Sequence, residues 1–136
     1  MDFFSALDIS ASGLAAERTR VDVATSNLAN AESTRGADGT PYKRLDPVLE
    51  AQPFNAALEQ GTGVKVSGVV QDNTPGRQVY SPGHPDADAQ GFITLPNVDP
   101  VHEMVNLMSA SRAYDANASA VDTLKGMAQR ALDIAK

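Results

Sequence analysis

All 8 prolines of this 136-residue chain lie between Pro41 and Pro100, and 8 of its 10 glycines lie between Gly36 and Gly91. Pro breaks helix hydrogen bonding and Gly weakens it, so long helices are confined to the two Pro-free ends. In those ends apolar residues recur every seven positions. Leu7, Leu14, Val21 and Leu28 form one column; Leu107, Tyr114, Val121, Ala128 and Ala135 form the other. Residues seven apart lie almost above one another on a helix, so each column asks for a partner helix. The pattern predicts a mainly α chain with a small β-rich insertion. An N-terminal arm covers 1–34, a Gly/Pro-rich middle 35–97 and a C-terminal arm 98–136, with the arms paired as an antiparallel coiled coil.

Local signals sharpen the ends. Asp2 and the run Ser5-Ala6-Leu7-Asp8, a capping-box pattern, predict the start of the first helix. Asn30 or Ala31 marks its end. Asp99 is a good N-cap for the second helix, Pro100 suits its first position, and Glu103 favours its positive end. At 1.5 Å per residue the arms span roughly 40 and 54 Å. In the middle, Gly63–Ser67, Val69-Val70, Gln78–Tyr80 and Phe92–Leu95 predict short strands. Asn73-Thr74-Pro75-Gly76 and Ser81-Pro82-Gly83 predict turns, and 35–41 a loop. The stretch 53–58 fits a helical turn or a loop equally well.

An ordinary amphipathic helix packed on its own domain would also show a heptad column. Three features favour use between molecules. The arms are long, the middle offers little apolar surface to cover them, and their flanking columns are weak. Ser10, Glu17, Ala24 and Ala31 stand beside the first column, and Ala110, Asn117, Leu124 and Ala131 beside the second. Burying one Leu or Val yields roughly 1.5–3 kcal/mol, against about 1–2 kcal/mol of backbone entropy per ordered residue. One narrow seam hardly offsets that cost, so the arms are expected to be loosely ordered alone and to firm up when neighbours bury the Ala-rich flanks. Polar residues inside the arms, Asn27, Asn30 and Asn117, either fix the register of a seam or act as caps and solvent-facing groups.

Composition and motifs narrow the function. A net charge of -6 and a pI near 4.7 argue against nucleic acid and against an anionic membrane surface. The sequence has no run of the roughly 20 apolar residues that a membrane span requires, and its N-terminus lacks the pattern of a cleaved secretory leader. With no Cys there is no disulfide framework or thiolate metal site. His84 and His102 lack ligand spacing. Asp86-Ala-Asp88-Ala-Gln90-Gly91 begins like an EF-hand loop, but Asn97 stands where the closing Glu belongs, so an Asp-lined turn is the better account. Neither a nucleophile elbow nor a phosphate-cradling Gly loop is present. The sequon Asn117-Ala-Ser119 lies inside a helix seam. No catalytic group, cofactor or metal is expected.

Two stretches carry a family resemblance. Ala11-Ser12-Gly13-Leu14-Ala15-Ala16-Glu17 and Val21-Asp22-Val23-Ala24-Thr25-Ser26-Asn27-Leu28-Ala29-Asn30-Ala31 resemble the N-terminal signature of bacterial flagellar rod and hook proteins. Asn97-Val98-Asp99-Pro100-Val101-His102-Glu103-Met104-Val105-Asn106-Leu107-Met108, with Ser109–Asn117 after it, resembles their C-terminal signature. The short middle, including Tyr80-Ser81-Pro82-Gly83-His84-Pro85, is similar to that of the proximal rod members. The resemblance implies a non-enzymatic subunit exported by the flagellar type III apparatus without a cleaved leader. Such a subunit polymerises helically in the periplasm, carries torque towards the hook and encloses the export channel. Its implied partners are copies of itself, other rod proteins, the protein joining rod to MS ring, and the export apparatus. The expected assembly interface comprises Leu7, Leu14, Val21, Asn27, Leu28 and Asn30 with Leu107, Tyr114, Asn117, Val121 and Leu124. The rivals are the sister proximal rod subunit and, outside this class, a cytosolic helical adaptor or export chaperone.

Overall fold

A computed structural model describes residues 3–36, 39–53 and 61–134. Two long helices flank four strands: α1 (Phe3–Ala29), β1 (Leu45–Pro53), β2 (Thr62–Gln71), β3 (Arg77–Tyr80), β4 (Phe92–Leu95) and α2 (Pro100–Ile134). The start of α2 follows its sequence signals. The Asp99 carboxylate accepts the N–H groups of Val101 at 2.9 Å and His102 at 3.4 Å, and Pro100 fills the first helical position. The start of α1 differs from the capping-box pattern. The helix already runs through Ser5, so Ser5 lies inside its first turn; Asp2 lies outside the described residues.

The helices pack on each other antiparallel. Asn27 Nδ2 donates to Glu103 Oε2 at 3.1 Å. A Cβ placed on Gly13 would lie 2.9 Å from Asn117 Nδ2. Fourteen residues back along α1 thus correspond to fourteen forward along α2. In this register Phe3 falls opposite Met127, so residues 128–134 of α2 run past the end of α1 by about two turns. The buried side chains of the pair are small or polar: Ala16, Val23, Ala24 and Asn27 on α1, Glu103 and Ala110 on α2. Small residues at the contact let the backbones approach closely, which offsets the shortage of large apolar side chains.

The middle forms two antiparallel ribbons, β1–β2 and β3–β4. The sequence pattern foretold β3, β4 and two pieces of β2, which form one strand through Gly68. It did not foretell β1, whose Pro47 and Pro53 read as strand breakers. A two-stranded ribbon leaves one flank of each strand unpaired, so Pro47 opposite Val69 is tolerated. Between Val48 and Leu49 the register skips Ser67, a bulge whose hydroxyl donates to the Val48 carbonyl at 3.2 Å. β2 docks on α1, where the Val64 N–H donates to Ser12 Oγ at 3.1 Å. Of the stretch 53–58, for which a helical turn or loop was expected, Pro53 closes β1 and 54–58 lie outside the described residues.

Both foretold turns are present as tight connections. Asp72 caps the first: its carboxylate accepts the Thr74 hydroxyl at 2.6 Å and N–H at 2.8 Å, and these bonds hold the Asp72 carboxyl below its ordinary pKa. In the second, the His84 N–H donates to the Ser81 carbonyl at 3.0 Å. Gly76 sits so close to β4 that a Cβ would collide with the Leu95 carbonyl oxygen. Gly76→Ala should therefore cost about 1–3 kcal/mol, the usual range for overpacking against backbone that cannot yield. Chemical denaturation of the full chain measures this; a change under 0.5 kcal/mol would show that the β3–β4 ribbon shifts freely.

Candidate functional site

A buried polar cluster ties the end of α1, the segment before β1 and the first turn of α2. Asn27 is fully buried, and its amide is saturated. Nδ2 donates to the Leu45 carbonyl at 2.8 Å and to Glu103; Oδ1 accepts the Leu45 N–H at 2.8 Å and the Tyr42 hydroxyl at 2.9 Å. Glu103 is 1% exposed and accepts Arg44 Nε at 2.7 Å and Asn106 Nδ2 at 3.4 Å. Burial works against the Arg44 charge, but the hydrogen bond and charge of Glu103, helped by Asp46, outweigh it and raise the guanidinium pKa. The Arg44 backbone is held as well. Its N–H donates to Asn97 Oδ1 at 2.9 Å, and its carbonyl accepts the Asp72 N–H at 2.8 Å.

A cleft of about 400 Å³ opens beside this cluster, lined by Arg20, Arg44, Asp46, His102 and Asn106 among others. Its charged groups answer one another. Arg20 pairs with Glu17 at 3.0 Å, and Arg44 with Glu103 and, at 3.5 Å, Asp46. His102 is in hydrogen-bond range of Asn106 at 3.2 Å. This arrangement suits holding segments together better than proton transfer or nucleophilic attack. The Asp86–Gly91 run is an Asp-lined turn: Asp88 Oδ1 accepts the Gln90 and Phe92 N–H groups at 2.8 and 2.9 Å, and Gly91 takes a φ of 85°. Asp86 is occupied by Thr34 at 2.8 Å and Arg35 at 2.9 Å.

The heptad columns lie beside the deepest line of contact. Leu7, Leu14, Val21 and Leu28 are half-buried, as are Leu107, Asn117, Val121 and Leu124, while Tyr114 is 38% exposed. Along the line itself run Ala24 and Ala110, residues of the small-residue flanks, and Ala16, which stood in none of the columns singled out. The three seam asparagines divide. Asn27 is a buried hub, Asn117 sits against Gly13, and Asn30 caps the helix end by donating to the Ser26 carbonyl at 2.8 Å. Tyr42, Arg44 and the burial of Glu103 escaped the sequence. A Glu in a first helical turn ordinarily faces water, and Tyr42 and Arg44 lie in a stretch without periodicity. Pro-Tyr-Lys-Arg just before a strand offered no local signal for a partner some 60 residues away.

On the side of α2 away from this line, the first turns carry a row of exposed apolar residues: Val101, Met104, Val105 and Met108. Phe4 is 72% exposed on α1, Met127 is exposed opposite the start of α1, and Leu132 and Ile134 are exposed where α2 outruns it. Contiguous apolar rows of this kind mark contact surfaces. No described helix is long and apolar enough to cross a membrane.

Comparison with known proteins gives these surfaces a context. A family described as "Flagella basal body rod protein" matches residues 7–37, and one described as "Flagellar basal body rod FlgEFG protein C-terminal" matches residues 89–134. The flagellar basal-body rod protein FlgC of Salmonella typhimurium strain LT2 is 47% identical over 135 residues, 98% of both chains. The FlgC protein of Bacillus subtilis is 41% identical over 150 aligned positions, covering both chains fully. That of Aquifex aeolicus is 44% identical over 98% of this chain and 97% of its own. Likeness at this level along the whole length, through both helices and the short middle, settles membership: the chain belongs to the FlgC family of flagellar basal-body rod proteins.

Proposed function

We propose that this chain is a structural subunit of the proximal rod, polymerising helically to pass torque from the motor ring towards the hook and to enclose the export channel. The observation that carries the proposal is the near-full-length likeness to FlgC proteins, together with a helix pair whose outer face is apolar and uncovered. Residues 1–34 and 98–136 form the axial arms, and 35–97 is the outward middle. Leu7, Leu14, Val21, Asn27, Leu28, Asn30, Leu107, Tyr114, Asn117, Val121 and Leu124 make up the assembly interface. The half-buried state of most of them supports this, since each keeps surface for a neighbour. The arms become rigid when neighbours cover them.

Rod-family membership implies assembly with other rod proteins. The finer partners proposed are further copies of the chain, the protein joining rod to MS ring, and the flagellar export apparatus, which passes it without cutting a leader. Stiffness under torsion is the functional demand, and many shallow repeated helix contacts meet it without a deep core.

The test is imaging of basal bodies in place. Cells lacking this chain should carry motor rings without a rod, and a version bearing an internal tag should show added density at the ring-proximal end. A complete rod in the deletion strain would overturn the proposal.

A further inference from the structure

The deepest line of contact between α1 and α2 is built mostly from small side chains, with Val23 the one larger apolar residue buried along it among the described residues. Gly13, Ala16, Ala24 and Ala110 offer neither a large knob nor a deep hole. Sliding α2 by one heptad, about 10 Å, would set Gly13 against Ala110 and Arg20 against Glu103. Gly13 and Ala110, both small, would then meet, and Glu103 would face the Arg20 guanidinium. At these two positions neither bulk nor the charge of Glu103 rejects the slipped register.

The Asn27 hub does not. Its two bonds to the Leu45 backbone and the Tyr42 hydroxyl seat residues 42–45 on the end of α1. That seating aims Arg44, whose backbone is already fixed by Asn97 and Asp72, at one point where a carboxylate must stand. Glu103 occupies it in the observed register alone. After a slip, the Arg44 guanidinium would lose its 2.7 Å partner and keep only Asp46 at 3.5 Å, and one Asn27 N–H would face no acceptor, a cost for any buried hydrogen-bonding group.

We propose that Asn27, Arg44 and Glu103 act as the register lock of the helix pair, selecting one stagger for a seam whose small residues do little to choose it. It concerns the folded chain itself and stands whichever rod position the subunit holds. These three are positioning residues, distinct from the half-buried columns offered to neighbours.

The test uses paired cysteines in the full chain, both purified and within assembled basal bodies. Gly13→Cys with Asn117→Cys reports the observed register, and Gly13→Cys with Ala110→Cys reports the slipped one. With the lock intact, oxidation should join the first pair and leave the second free. In Asn27→Leu/Arg44→Met, the yield of the second pair relative to the first should rise about tenfold or more, the shift expected for removing about 1.4 kcal/mol of preference. Glu103→Gln, which keeps the shape of the cluster, should give a smaller rise in the same direction. If helicity is retained and only the first pair ever forms, the seam sets its own register and the proposal fails. It fails equally if every lock variant loses its helices, because the cluster then holds the fold and not the stagger.

Discussion

Arg44→Met should destabilise the chain by about 3–5 kcal/mol, the cost of leaving a buried charge without its partner. Glu103 is 1% exposed, and Arg44 Nε at 2.7 Å is its one permanently charged partner among the described residues. The remaining donors, Asn27 at 3.1 Å and Asn106 at 3.4 Å, are neutral and longer. Neither can replace a guanidinium in a site that excludes water. Arg44→Met combined with Glu103→Leu should recover most of the loss, since apolar replacement of a whole buried pair is often neutral. In that double variant Asn27 Nδ2 still donates to the Leu45 carbonyl. Thermal and urea unfolding followed by circular dichroism would measure both. A single-variant loss under 1 kcal/mol would mean that water reaches Glu103 in solution.

Leu14→Asp should leave export intact and abolish rod assembly, and with it motility. Leu14 is half-buried, next to the Gly13–Asn117 approach, so its side chain is shared between the pair and the outside. Within one molecule the loss is modest, because the carboxylate can turn toward water. In a polymer every copy would repeat it. Each contact would lose roughly 1.5–3 kcal/mol of apolar burial and gain a charge in need of solvation. Repetition makes the effect all-or-none. Leu14→Met, which keeps volume and apolarity, should assemble nearly as the parent does. Intact basal bodies and normal swimming in the Leu14→Asp strain would remove this column from the assembly interface.

Most of the helical architecture was legible in the residues. Confinement of Pro and most Gly to the middle separated the two helices, Asn30 and Ala31 marked the end of α1 within two residues, and Asp99-Pro100 placed the start of α2. Strands with clean alternation, such as Gly63–Ser67, could also be read. β1 could not, because Pro47 and Pro53 argue locally against a strand, and pairing with β2 overrides them. The seven-residue columns correctly announced partner helices, but their bulk drew attention from the small residues that lie deepest. A heptad column shows which face is apolar; how near the backbones come depends on Ala and Gly beside it. The polar cluster was least visible. Asn27 stood out as a polar residue in a seam, yet its partners Tyr42, Arg44 and Glu103 come from far along the chain, and local sequence carries no record of such meetings.

The two ends of the helix pair are unlike: at one, the chain is fastened by the polar cluster, and at the other α2 extends alone with Leu132 and Ile134 bare. A rod-shaped object with dissimilar tips cannot join tip to tip by a two-fold axis and bury both in the same way. Any column built from such pieces laid head to tail is a one-way structure. Its growing face differs chemically from its founding face, so a newcomer can tell which one to join.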